Sequence, residues 1–112
     1  MRVSLVVPVY NEEQAVGVFY RSVRQEASLH EHTVEIVFIN DGSSDCTAEY
    51  AQALALADSH VVLINFSRNF GKEAALFAGL EYATGDAVIP MDVDLQEDRK
   101  STRLNSSHQY YL

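Results

Sequence analysis

The sequence predicts an α/β fold: a parallel sheet entered in βαβαβαβ order, with helices packed on its faces. Two observations carry this. Four short apolar runs rich in β-branched residues recur at 3–7, 34–39, 61–64 and 87–89, and such runs look like buried parallel strands. Between them lie segments with helical spacing, about 12–25, 46–57 and 72–83, the last two rich in Ala, Leu and Glu. Strands that alternate with helices join through right-handed crossovers, and the sheet they form is parallel.

Each element has its own punctuation. The first run ends in Pro8 and is followed by Asn11-Glu12-Glu13 with no small-residue cleavage pattern, so it reads as a strand and not as a secretion signal. Asn11 with Gln14 three residues on resembles a capping box for the first helix, and Ser43, Ser44 and Asp45 offer N-cap oxygens to the second. Gly85 reads as the C-cap of the third helix. A chain of 112 residues with 47% hydrophobic content, five Gly and two Pro makes one globular domain, and no internal repeat is present.

The charge distribution divides the chain. Residues 1–97 carry 5 Lys and Arg against 15 Asp and Glu, a net of −10, whereas residues 98–112 carry 3 against 1, a net of +2. Asp98-Arg99-Lys100-Ser101-Thr102-Arg103-Leu104-Asn105-Ser106-Ser107-His108 has neither apolar periodicity nor a strand run. Residues 98–112 therefore read as a disordered tail, and these eleven residues look like the translation of a common sequencing adapter joined to a truncated gene. The acidic body argues against generic nucleic-acid binding and against adhesion to anionic lipid, but suits a divalent cation. The single cysteine, Cys46, cannot form an internal disulfide and reads as a small buried or helix-start residue in a reducing, cytoplasmic compartment. No window has the ~18 to 20 apolar residues that span a bilayer.

Ligands of open α/β sheets sit beyond the carboxyl ends of the strands, and all four strand ends here are polar. Asp92 and Asp94, two apart after the fourth run, can face one cation while its other positions stay open for phosphate oxygens; hard oxygen ligands imply Mg²⁺ or Mn²⁺. Two aspartates at this spacing also occur in solvated turns. Asp41, in Asn40-Asp41-Gly42-Ser43, is an acceptor for a base N–H or the side chain of an Asx-turn opening the next helix. Tyr10 is placed to stack on a base; Glu12 orients a ribose or the Tyr10 loop, or serves as a first-turn acid favoured by the helix dipole. Lys72 and Arg68 are two of five cations in residues 1–97 and share one loop. Gly71-Lys72 at a helix start resembles an anion site, though it is not a P-loop, and Arg68 reads equally as an exposed loop charge. His30, His32, His60 and His108 show no zinc spacing, and no Gly-x-Ser-x-Gly elbow marks a serine hydrolase.

Four ordered motifs, spanning about residues 3 to 96, closely resemble the family 2 glycosyltransferases: Val7-Pro8-Val9-Tyr10-Asn11-Glu12-Glu13, Glu35-Ile36-Val37-Phe38-Ile39-Asn40-Asp41-Gly42-Ser43-Ser44-Asp45, Ser67-Arg68-Asn69-Phe70-Gly71-Lys72-Glu73-Ala74-Ala75 and Met91-Asp92-Val93-Asp94-Leu95-Gln96. The third and fourth are most similar to the polyprenyl-phosphate glycosyltransferases, such as bactoprenol glucosyltransferases and dolichol-phosphate mannose synthases. The resemblance implies the Rossmann-like, nucleotide-sugar-binding half of a GT-A fold over residues 1–97. It implies a nucleotide-sugar donor, UDP-glucose foremost, and inverting, metal-dependent transfer to a polyprenyl phosphate at the cytoplasmic face of a membrane. By position, Pro8, Tyr10, Glu12, Ile39 and Asp41 would line the nucleoside pocket, with Lys72 near the phosphates. Asp92, Val93, Asp94 and Gln96 would surround the diphosphate and its Mg²⁺ or Mn²⁺, the two aspartates being the catalytic carboxylates and, with Gln96, the metal set.

The pattern then departs. The family continues after Asp-Leu-Gln with an acidic residue and prolines, an acceptor-binding half and often membrane helices; this chain continues Glu97-Asp98-Arg99-Lys100. The expectation is a donor-binding half at best, one that binds without turning over, and the alternative is an inactive fragment that only folds or binds nucleotide. A receiver-type signalling domain is disfavoured, because it needs a phospho-accepting Asp after the third strand, where Asn65-Phe66-Ser67 stands.

Overall fold

The computed structural model describes residues 1–94; Gln96 and the 98–112 tail lie outside the described residues. The expected order is observed. Strand β1 (Arg2–Val9) leads to helix α1 (Val16–Gln25) and, through a single 3₁₀ turn at Ala27–Leu29, to β2 (Thr33–Asn40). Helix α2 (Thr47–Ala57), β3 (Val61–Asn65), α3 (Lys72–Tyr82) and β4 (Ala87–Pro90) follow. All strand pairs are parallel, in the order β3-β2-β1-β4.

This order explains the layering. The chain steps outward from β1 to β2 to β3, then reverses to place β4 on the far side of β1. Right-handed crossovers put helices on opposite faces when the direction of winding reverses. Accordingly, Val16, Phe19 and Val23 of α1 and Ala51 of α2 pack with Val3, Leu5, Val7, Val9, Val34, Ile36 and Phe38 on one face. Ala75 of α3 packs with Val6, Val37 and Ile39 on the other. The two sets alternate along β1 and β2, as side chains on a pleated strand must. Helix α3 lies close to the sheet because Gly79 faces it: a Cβ there would stand 2.4 Å from Val6 Cγ1 and 2.7 Å from Ile39 Cδ1. Pro8 is tolerated within a central strand because β4 pairs with β1 only as far as Val6.

Three sequence expectations are corrected here. Helix α1 starts at Val16, not near residue 12, and has no side-chain cap. Asn11 adopts a positive φ of 52° and turns its amide away from its own helix, Oδ1 accepting from the Ser44 N–H at 2.8 Å. None of the three proposed residues is the N-cap of α2: that position is Cys46, which has no side-chain cap. Asp45, one residue earlier, accepts from the Thr47 N–H at 2.9 Å, while Ser43 and Ser44 bond to residues of the strand ends. Gly85 is not the C-cap; α3 ends at Tyr82 and its C-cap is Ala83. Gly85 instead donates its N–H to Ser4 Oγ at 2.9 Å, so close to β1 that a Cβ would stand 2.7 Å from the Ser4 N.

Candidate functional site

The sheet reverses its winding between β1 and β4, and the crevice beyond the carboxyl ends of these two strands is where open α/β sheets bind ligands. A cleft of about 280 Å³ lies there, lined by Pro8, Val9, Tyr10, Glu12, Asp41, Lys72, Asp92, Val93 and Asp94. Of the residues that the resemblance places around the nucleoside and diphosphate, Pro8, Tyr10, Glu12, Asp41, Lys72, Asp92, Val93 and Asp94 converge on it. Ile39 does not: it is fully buried beneath α3, because its place in β2 points it at the core.

Each wall is held by its neighbours. The β1 end reaches across to the loop before α2: the Asn11 N–H donates to Ser43 Oγ at 2.9 Å, and the Glu12 N–H to Thr47 Oγ1 at 2.8 Å. Glu13 Oε1 accepts from the Cys46 N–H at 2.9 Å. Glu12 thus sits in the cleft by its backbone turn, its carbonyl accepting from the N–H groups of Ala15 and Val16.

Asp41 is 4% exposed and anchors the loop before α3. Its Oδ1 accepts from the Phe70 N–H at 2.8 Å, and its Oδ2 from the Gly71 N–H at 3.1 Å and from Asn69 Nδ2 at 3.3 Å. Asn69 Nδ2 also donates to the Asp41 carbonyl at 3.1 Å. Gly42 makes this contact possible: at φ 74°, a Cβ would lie 2.3 Å from the Arg68 carbonyl carbon. The side chain that bonds forward within this turn is that of Asn40, whose Oδ1 accepts from the Ser43 N–H at 3.1 Å, leaving Asp41 for the loop. Sequence reasoning missed Asn69; its signal was an amide within reach of a buried acid, which only the fold reveals.

Lys72 opens α3, and its Nζ lies 2.9 Å from Asp92 Oδ1, an ion pair spanning the cleft. Arg68 is not part of this wall; its guanidinium stacks 4.7 Å over the Phe70 ring. Among the described residues, no group of three or more His, Cys, Asp or Glu is placed to hold a metal. The donor set in the cleft, two carboxylates from Asp92 and Asp94, nevertheless fits Mg²⁺ or Mn²⁺ when phosphate oxygens and water complete the shell, since Mg²⁺ usually takes only one or two protein carboxylates. Cys46 is exposed at the start of α2, not buried, and the carboxylates of Glu49, Glu13 and Asp45 hold its thiol above the usual range, which leaves it a poor nucleophile.

A family model described as glycosyl transferase family 2 matches residues 4–102. The chain belongs to glycosyl transferase family 2. Over 97 residues it is 61% identical to a prophage bactoprenol glucosyl transferase homolog of Escherichia coli (strain K12) and 62% identical to the bactoprenol glucosyl transferase of Shigella phage SfV, matching 87% of this chain in each case. The chain spans about a third, 32%, of the length of each of these relatives. Among solved structures it is similar to the mannosyltransferase PcManGT from Pyrobaculum calidifontis in complex with GDP-Man and Mn²⁺, with TM-score 0.73 and 26% identity over 83% of this chain and 27% of that one. The S. aureus TarS 1-349 structure in complex with UDP-GlcNAc shares the fold, with TM-score 0.71 and 22% identity over 96% of this chain and 32% of that one. The parallel sheet and its alternating helices are those of a GT-A glycosyltransferase, as the sequence predicts. Among the described residues no helix is long and apolar enough to cross a membrane.

Proposed function

We propose that residues 1–97 are the donor-binding half of a transferase that moves a hexose, glucose foremost, from a nucleoside diphosphate sugar to a polyprenyl phosphate with inversion. The observation that carries this reading is the convergence of Tyr10, Glu12, Asp41, Lys72, Asp92 and Asp94 on one cleft at the reversal of the sheet, in a chain about 60% identical to bactoprenol glucosyl transferases. Tyr10, 49% exposed, offers its ring to a base. Pro8 and Val93 supply apolar walls, and Glu12 and Asp41 supply acceptors for ribose hydroxyls or a base N–H.

Asp92 and Asp94 would hold the Mg²⁺ or Mn²⁺, with Gln96 as a further ligand; the cation neutralises charge on the diphosphate when bound. Lys72 supplies the protein's own positive charge at the same place. In the ligand-free chain its ammonium rests on Asp92, and an arriving diphosphate gives it an alternative partner. The leaving nucleoside diphosphate gains negative charge as the glycosidic bond breaks, so a cation fixed beside it stabilises the transition state more than the ground state. The full-length protein would act at the cytoplasmic face of a membrane, where its lipid acceptor resides.

Titration calorimetry of the chain with UDP and GDP, with Mg²⁺ or Mn²⁺ and then with chelator, tests this. Tighter binding with metal is expected, and Asp94→Asn should remove the metal dependence while sparing most of the nucleoside contact. Equal affinities with and without metal would take the cation out of the account. No binding of either nucleotide would sink the donor-site reading. Sugar transfer to polyprenyl phosphate by residues 1–112 should be undetectable, because turnover needs donor and acceptor held in near-attack alignment.

A further inference from the structure

We infer that Asn69 is a positioning residue: its side-chain amide clamps Asp41 to the loop before α3, and the loop so held presents Lys72 across the cleft to Asp92. The inference rests on the donor-site reading above for its nucleotide consequence, and on geometry alone for the clamp.

Asn69 Nδ2 lies between the carbonyl and the carboxylate of Asp41, at 3.1 Å and 3.3 Å. It therefore fixes which way the carboxylate plane faces. In that orientation the two oxygens meet successive backbone N–H groups, Oδ1 that of Phe70 and Oδ2 that of Gly71. These are the last residues before α3, whose first residue is Lys72. Gly71, at φ 103°, makes a turn that few other residues adopt, so the direction in which α3 begins depends on the bonds that hold this turn. Hydrogen bonds to a carboxylate are the strong kind, and this carboxylate is buried, so little water competes for them. Asn69 itself is exposed and is absent from the cleft wall; it touches Asp41, not the space a ligand would fill. Its effect on a ligand would pass through Lys72.

The test compares the chain with Asn69→Ala, Lys72→Ala and the double variant, with Asn69→Ser as a second probe that keeps a short donor. Without ligand, amide exchange at Phe70 and Gly71 and the carboxyl carbon resonance of Asp92 are followed by NMR. In Asn69→Ala the two amides should exchange about tenfold faster, and the Asp92 resonance should move toward its Lys72→Ala position. UDP and GDP should bind about tenfold more weakly while uridine and guanosine are held as before, and the double variant should be no weaker than Lys72→Ala alone. Asn69→Ser should recover part of each change. Unaltered amides with an unaltered Asp92 resonance would overturn the inference, as would loss of nucleoside and diphosphate binding in equal measure, because Asn69 would then touch the base. If the parent chain binds neither nucleotide, the donor-site reading fails, and the ligand-free spectra alone decide for or against the clamp.

Discussion

Glu35 and Asp41 are both acids of the β2 region, both about 4% exposed, and they grip opposite ends of the same helix. Asp41 holds the turn that enters α3. Glu35 holds the turn that leaves it: its Oε1 accepts from Ser4 Oγ at 2.6 Å and from the Thr84 N–H and hydroxyl, each at 3.2 Å, and its Oε2 lies 3.4 Å from the Arg2 guanidinium. At the amino ends of the strands these partners come from Ser4, Thr84 and Arg2. At the carboxyl ends they come from loop N–H groups and from Asn69. Two carboxylates with equal burial thus have different consequences: one closes the back of the sheet, and the other shapes a loop beside a cleft.

The largest effect that separates them is on stability. Glu35→Ala strips the fully buried Ser4 hydroxyl of its acceptor, and an unsatisfied buried donor costs about 1 to 3 kcal/mol, while the exposed Thr84 can turn to water. A loss of about 3 kcal/mol is expected, seen as a fall in Tm of roughly 15 °C. Asp41→Ala should cost less, about 2 kcal/mol, since Asn69 and Phe70 are exposed and water can reach part of what is freed. Nucleotide binding should order them the other way, with Asp41→Ala abolishing it and Glu35→Ala sparing it below the unfolding transition. Thermal melts and calorimetry on both variants decide; equal losses in both assays would erase the distinction.

Acid titration sharpens the comparison. Burial opposes ionisation of Glu35, but the hydrogen bonds from Ser4 and Thr84 and the charge of Arg2 outweigh it and hold the carboxyl below its usual range. A depressed carboxylate adds stability that is complete above its unfolded pKa and is lost as pH falls through the folded value. Glu35→Gln should therefore flatten the acid limb of stability against pH. Part of the slope will persist, because Asp58, where bonds from Tyr20, His60 and Arg24 outweigh burial, is depressed as well. An unchanged acid limb in Glu35→Gln would mean that the Ser4–Thr84 network holds the neutral acid equally well.

The sequence made one of these acids visible and hid the other. Asp41 follows an apolar strand and precedes Gly42, a position where ligand chemistry concentrates, and so it reads as a site residue. Glu35 interrupts an otherwise apolar run, and only the register that sets Ser4 opposite it, with Thr84 returning from α3, explains its burial. The strands were legible because β1 and β2, buried along most of their length, are apolar runs broken by little more than Ser4 and Glu35. The start of α1 was not, because Asn11 and Glu13 spend their side chains on the neighbouring loop, a choice that spacing along one helix does not encode. The convergence of Lys72 with Asp92 was legible only as two strand-end loops of opposite charge; the reversal of winding that makes them neighbours is a property of the whole sheet.

The smallest effect on stability is expected at a third carboxylate. Asp92 meets Lys72 at 2.9 Å, a better distance than the one between Arg2 and Glu35, yet the two side chains are 42% and 64% exposed. Ion pairs this open are screened and contribute less than about 1 kcal/mol, so Lys72→Ala should leave the thermal transition nearly in place. Its effect on ligand should be large, because among the described residues Lys72 is the sole cation of a cleft lining that includes Glu12, Asp41, Asp92 and Asp94. Without it, a diphosphate would approach four acids uncompensated by the protein, and UDP or GDP should bind at least tenfold more weakly at low salt. Raising ionic strength toward 1 M should shrink that gap, since screening shortens to ~3 Å. A gap that persists at high salt would assign Lys72 a directional hydrogen bond to the ligand in place of a field, and a large fall in Tm would show that its pairing with Asp92 holds the fold.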